Sequence, residues 1–203
     1  MAGSLLKMVK VKTSARQKAV IERINKEDFS LVVYKTRKAY RERGLERPDS
    51  FYEEGVRSLK QYYTTAVFDP ENLHAVSDDL DRFWHEHIVD TARYELLCKD
   101  MQAFMHHDPL DRTTLPKVCS IVQVYQYTQK VLTKIYGAEN LSPIFFPVKP
   151  EVDILVCRHD LDVDEREKAT WKDIFPIDNE IAKIKAQYGN KAKIVALKKE
   201  LGR

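Results

Sequence analysis

The chain has 203 residues, 43% of them hydrophobic and 32% charged, with six glycines and eight prolines. This composition is typical of one folded domain with tails; it excludes a disordered chain and favours helices over a turn-rich β-sandwich. The net charge of +3 gathers at the ends, because residues 1–21 hold five basic and no acidic side chains, and residues 180–203 hold seven against two.

Hydrophobic spacing in chain order predicts an all-α fold. After a basic N-terminal tail (residues 1–14), helices are expected at 14–25, 27–43 and 50–67, the last beginning with a capping box of Ser50 and Glu53. A long central helix follows at 79–105, and a further helix at 118–136 ends at Gly137. We therefore predict a single helical bundle-like domain, residues 15–147, around a central buried helix.

Residues 148–203 are predicted to be a C-terminal extension. It contains an extended or short-strand segment at 151–157, a solvated acidic loop at 158–167 and a basic terminal helix at 181–201. No apolar run approaches 18 residues, so no membrane span is expected.

The three cysteines are an odd number and form no CxxC pair, which argues against a disulfide scaffold. Free thiols indicate the cytoplasm or another reducing compartment. The acid-free, basic N-terminal segment also fits a transit peptide, so import into an organelle is the alternative.

The central helix carries most of the chemistry-bearing side chains, with Ser77 as its expected N-cap. His85 and His87 stand two residues apart, so on a regular helix they point about 200° away from each other and cannot chelate one metal ion. His87 shares the inner face with Tyr94 and Cys98, whereas His85 lies on the opposite face.

The stretch FWHEHIVDTARYELLC, followed by HHDP, resembles the signature of the glycine-rich domain-containing-protein-like family, (V/F)WHxHxxDTxxYxxxC and then HHxP. A weaker similarity continues into YQYTQKVLTKIYG, so the resemblance spans about residues 20–147. This chain departs from the family at 102–105, where a Gly would be expected. The family brings no catalytic activity to carry over, so the resemblance implies a fold rather than a reaction. The matched positions are Trp84, His85, His87, Asp90, Thr91, Tyr94, Cys98, His106, His107 and Pro109.

Two interpretations of these side chains stay open. The first is a zinc or iron site on His85, or alternatively His87, with His106 and His107, and with Asp90 or Cys98 as a further candidate ligand. A straight helix would hold His106 about 30 Å from His85 or His87, so a shared ion needs a sharp break or a second chain. The second is a polar network that fixes helix packing. The candidate residues are His85, His87, Asp90, Tyr94, Cys98, His106 and His107.

Catalysis is not expected, because Cys98 falls on the inner stripe and should be buried and inert. The favoured function is a non-catalytic interaction or scaffold module that docks on a protein partner; metal binding is the alternative, and nucleic-acid association the third. The predicted partner-binding residues are Phe145, Phe146, Lys183, Lys191, Lys193, Lys198 and Lys199.

Overall fold

The computed structural model describes residues 4–109, 115–147 and 155–163, with side chains at 4–107 and 123–147. This part of the chain is mostly helical, which confirms the predicted fold class. A small antiparallel sheet covers one side of the helices. The elements are α1 (Leu5–Met8), α2 (Ala15–Lys26), α3 (Ser30–Glu42), α4 (Asp49–Tyr63), α5 (Thr65–Phe68), β1 (His74–Ser77), α6 (Asp78–Ile88), α7 (Thr91–Met101), β2 (Ala103–Pro109), α8 (Leu115–Tyr136) and β3 (Leu155–Val163).

Local signals account for several helix ends. Ser14 and Gln17 form a capping box at the start of α2, and Ser77 accepts from the backbone N–H of Leu80 at the start of α6, as predicted. Gly137 follows α8 with a positive φ of 81°, a conformation that glycine adopts without steric cost. The predicted capping box at Ser50 is wrong, because α4 begins one residue earlier, after Pro48, whose ring already fixes a suitable φ.

The N-terminal residues that the structure describes are not a free tail. Leu5 is buried in the core, and the backbone N–H of Lys10 donates to the carbonyl of Ile135 in α8 at 2.7 Å. The apolar side chain of Leu5 packs against α2, and its removal from water favours an ordered segment even though basic residues surround it in the sequence. The predicted boundary at residue 14 is therefore corrected.

The core is rich in aromatic rings, and it includes the two phenylalanines predicted to bind a partner. Phe145 is 0% and Phe146 4% exposed. The Phe145 ring lies 5.1 Å from the Phe51 ring and 5.5 Å from the Phe83 ring. Buried aromatic rings of this size contribute strongly to the stability of a core. The assignment of Phe145 and Phe146 to partner binding is thus corrected, because both side chains are buried in the core of this domain.

The predicted central helix is in fact two helices and a strand. Helix α6 ends at Ile88, and Asp90, with φ −85° and ψ 64°, lies outside helical geometry before α7 begins. Helix α7 then stops at Gln102, which adopts a left-handed conformation with φ 56° and ψ 33°. The following residues form β2, in which buried Ala103 and Met105 alternate with exposed Phe104 and His106. The prediction of a single helix at 79–105 is therefore wrong.

The sheet has the strand order β1-β3-β2, with both pairings antiparallel. Among the described residues, strand β3 includes 155–157, the part of the predicted strand that the structure describes. It continues through residues predicted as an acidic loop, because residues 158–163 find ladder partners in β2. The helical domain thus extends beyond residue 147. The predicted basic helix at 181–201 and residues 151–154 lie outside the described residues.

Within the described part of the chain, no helix combines the length and the apolar character needed to cross a membrane.

Candidate metal centre

Three side chains from α6 and β2 come together beside the sheet. Asp81 and His85 are four residues apart, so they lie on the same face of α6. His107 reaches them from β2. Its Nε2 lies 3.3 Å from Asp81 Oδ1, and Nε2 of His85 lies 3.4 Å from Asp81 Oδ2. The two imidazole rings meet edge to face, with centroids 4.2 Å apart.

These spacings suit a metal ion. One donor atom from each of Asp81, His85 and His107 lies within 4.8 Å of the other two. Zinc binds imidazole nitrogen and carboxylate oxygen at about 2.0–2.1 Å, and ligands arranged tetrahedrally at that radius stand about 3.3–3.4 Å apart. Each imidazole nitrogen stands at this separation from a different oxygen of the Asp81 carboxylate. The same geometry also allows each imidazole to share a proton with the carboxylate, so geometry alone admits both a metal centre and a hydrogen-bonded cluster.

The group is sheltered on one side and open on the other. The side chains of Asp81 and His107 are 10% and 13% exposed, whereas that of His85 is 56% exposed. The indole of Trp84 packs against the His107 ring with centroids 5.1 Å apart. An ion would therefore enter past His85, and the inner two ligands would be held in place by packing.

The structure separates the other predicted site residues from this group. His106 is exposed, with its ring 4.8 Å from that of Phe104, since neighbouring residues of a strand point to opposite faces. Its assignment as a ligand together with His85 and His107 is corrected. Asp90 lies at the break between α6 and α7, where a carboxylate oxygen is 3.7 Å from Nε of Arg93.

His87, Tyr94 and Cys98 belong to a second, inner cluster. Nδ1 of His87 lies 2.7 Å from the hydroxyl of Tyr63, and burial lowers the pKa of His87 to about 4. The Tyr94 hydroxyl accepts from Nε1 of Trp84 at 3.3 Å and donates to the carbonyl of Met105. This cluster ties α4, α6, α7 and β2 together.

The thiol of Cys98 is unsuited to nucleophilic attack. It is buried, and this burial raises its pKa, so the thiol stays protonated at neutral pH. The predicted burial of Cys98 is confirmed.

A further buried group joins β1 to α8. Nε2 of His74 lies 3.1 Å from Asp69 Oδ2, and Nδ1 lies 3.2 Å from the Thr128 hydroxyl. The order of acid, imidazole and hydroxyl is that of a hydrolase triad. However, all three residues are at most 3% exposed, and the hydroxyl donates to the carbonyl of Val124 at 3.0 Å. The group therefore holds β1 against α8 in the interior of the domain.

Sequence reasoning missed Asp81 as a ligand. Its spacing of four residues from His85, which puts both side chains on one face of a helix, is a usable signal in the sequence. The prediction of one straight helix separates His107 from Asp81 and His85. The break after Ile88 and the change of direction at Gln102 bring His107 back beside α6.

Comparisons of this chain with known protein families, with curated proteins and with solved structures give no match. The resemblance to the glycine-rich domain-containing-protein-like family stays a prediction.

Proposed function

We propose that this chain is a metal-binding protein that holds one divalent transition-metal ion on Asp81, His85 and His107. The observation that supports the proposal is the convergence of two imidazoles and one carboxylate, from two separate elements, at separations of 3.3 and 3.4 Å. An ordinary surface ion pair joins two side chains, whereas this group joins three. The arrangement of two ring nitrogens about one buried carboxylate is the donor set of a transition-metal site.

Zinc is the ion that this donor set favours. Calcium and magnesium prefer sites built from oxygen alone, and copper(I) prefers sulfur. The free thiol of Cys98 belongs to the inner cluster and not to this group. Two histidines and one carboxylate also suit iron(II), so the metal found in the purified protein decides between zinc and iron.

The ion would fasten β2 to α6. Because the ligands come from both elements, the folded state binds the metal more tightly than the unfolded chain does. Ligand binding of this kind stabilises the folded state by about 2.7 kcal/mol when the free metal is at 100 times Kd. Metal binding should therefore appear both as stoichiometric metal and as a higher melting temperature.

The test compares His107→Ala with His106→Ala in the untagged, full-length chain. The two histidines are adjacent in β2, but only His107 faces Asp81. We expect near-stoichiometric zinc or iron in the parent and in His106→Ala, with none in His107→Ala or Asp81→Asn. After chelation, added zinc should raise the melting temperature of the first pair alone. Equal metal content and equal response in both histidine variants would overturn the proposal.

The predicted protein-docking function is not supported by a described contact and stays a prediction. Its phenylalanines are buried, and its lysines lie outside the described residues. Nucleic-acid association likewise stays a prediction, for which steep salt dependence of binding would be the measurement.

A further inference from the structure

A small cleft between the end of α3 and the beginning of α6 is lined by arginines. Its volume is about 160 Å³, and Arg43, Arg47 and Arg82 line it together with Tyr40 and two aspartates. Pockets for drug-sized molecules have volumes of about 300–1,000 Å³, so this cleft has room for a single ionic group and not for a whole cofactor. The three side chains of the candidate metal centre are not among its lining residues, so the cleft is a separate site.

The turn that follows α3 builds one wall of this cleft. The backbone N–H of Gly44 donates to the carbonyl of Arg41 at 2.9 Å, and that of Leu45 donates to the carbonyl of Tyr40 at 2.9 Å. This pair of bonds is the Schellman pattern of helix ends. Gly44 supplies the left-handed conformation that the pattern needs, with φ 71°. The backbone that carries Arg43 is therefore fixed at the edge of the cleft.

Buried aromatic rings hold the other two arginines in place. The guanidinium carbon of Arg47 lies 5.4 Å from the ring centroid of Phe51 and 5.9 Å from that of Tyr40. The guanidinium carbon of Arg82 lies 5.8 Å from the Tyr40 centroid. Both rings are buried, so they form a rigid support. A planar guanidinium that rests on an aromatic face still donates hydrogen bonds from its edge, and less side-chain entropy is lost when an anion binds.

The charges at the cleft are unevenly balanced. Oδ2 of Asp78 accepts from Arg82 at 2.6 Å, and the Tyr40 hydroxyl donates to Oδ1 of Asp79, so both carboxylates are engaged. Arg43 and Arg47, by contrast, form no ion pair with a carboxylate among the residues that the structure describes. Each of these two guanidinium groups offers several N–H donors and one positive charge. The cleft thus has an excess of positive charge that an anion would balance.

We propose that this cleft binds the phosphate group of a phosphorylated ligand through Arg43, Arg47 and Arg82, independently of the metal centre. Guanidinium forks match the oxygen spacing of phosphate and bind it with two parallel hydrogen bonds. A phosphate monoester carries a charge of about −1.5 to −2 at pH 7, so it balances both uncompensated arginines, whereas a carboxylate balances one. Since the cleft has room for one ionic group, the remainder of the ligand lies outside it.

The test titrates the full-length chain with inorganic phosphate at constant ionic strength and follows the arginine Nε–H signals in proton–nitrogen NMR spectra. Arg43→Gln removes an exposed guanidinium without an ion pair among the described residues, so it changes the cleft without disturbing the core. Loss of one charge-assisted contact should weaken phosphate binding by about tenfold or more in Arg43→Gln and in Arg47→Gln. Arg41→Gln makes the same charge change on α3 at a residue that does not line the cleft, and it should keep the parental affinity.

Three results would overturn the proposal. They are a parent without saturable phosphate binding, equal weakening in Arg41→Gln and Arg43→Gln, and binding that is lost in His107→Ala, which would place the phosphate at the metal centre instead. Phosphoserine and glycerol phosphate represent the two sources of the group, a phosphorylated side chain and a phosphorylated small molecule. Tighter binding of either than of inorganic phosphate would support the proposal and identify the source. Acetate that binds as tightly as phosphate would refute the assignment to a phosphate group.

Discussion

His87 should make the stability of this protein strongly dependent on pH. Its side chain is 0% exposed and packs against the rings of Phe29 and Tyr94, with centroids at 4.7 and 5.5 Å. Nδ1 meets the Tyr63 hydroxyl, while Nε2 has no hydrogen-bond partner within the described part of the chain. Removal from water disfavours the imidazolium and lowers the pKa of His87 to about 4; the nearby Asp90 carboxylate opposes this shift and Arg93 adds to it.

The sign of the effect follows from proton linkage. The unfolded chain takes up a proton near pH 6.5 and the folded chain near pH 4, so the unfolded state binds more protons between these values. Stability is therefore complete above pH 6.5 and is lost as the pH falls toward 4. The slope reaches about 1.4 kcal/mol per pH unit, and the loss between pH 8 and pH 5 amounts to about 2 kcal/mol.

Urea unfolding of the metal-free protein at pH 8, 6 and 5 would measure this loss. His87→Asn keeps a group that can bond to Tyr63 but removes the titration. The parent should lose about 2 kcal/mol more than His87→Asn between pH 8 and pH 5. His106→Ala, which removes an exposed imidazole, should keep the parental profile. Parallel pH profiles for the parent and His87→Asn would refute the reasoning, since His87 would then titrate alike in the folded and unfolded chains.

Two backbone positions give further predictions, both measurable by urea unfolding. A Cβ added at Gly55 in α4 would lie 2.3 Å from Cζ of the buried Phe83, so Gly55→Ala should destabilise the fold by about 1–3 kcal/mol; unchanged stability would contradict this packing. Gln102 has a positive φ of 56°, so Gln102→Gly should raise stability by up to about 1 kcal/mol. Lys99→Gly, inside α7, should instead cost about 1 kcal/mol, and equal effects of the two glycines would count against strain at Gln102.

The parts of the fold that the sequence predicts correctly depend on local signals. Apolar spacing gives α2, α3 and α8 within a few residues. Ser77 marks the start of α6, and Gly137 marks the end of α8. These features arise from contacts within a few residues along the chain. They need no knowledge of what packs against the helix.

The two breaks in the central segment have no such signal. Neither Val89–Asp90 nor Gln102 contains a proline or glycine, and the apolar stripe runs through both. Residues 103–109 form a strand because β3 pairs with them along their whole length, and β3 begins 46 residues after β2 ends. A partner so distant in sequence cannot be inferred from the pattern of either segment alone.

The candidate metal centre combines both kinds of information. Asp81 and His85 are placed by one turn of α6, so this pair exists whenever that helix forms. His107 lies near this pair only because the chain leaves helical geometry twice, at Asp90 and at Gln102. Its Nε2 is then 3.3 Å from Oδ1 of Asp81. The local pair costs little ordering entropy, whereas the third donor is ordered by the tertiary fold. A metal that needs all three donors should consequently bind the folded state alone, and its affinity should fall with any change that detaches β2 from α6.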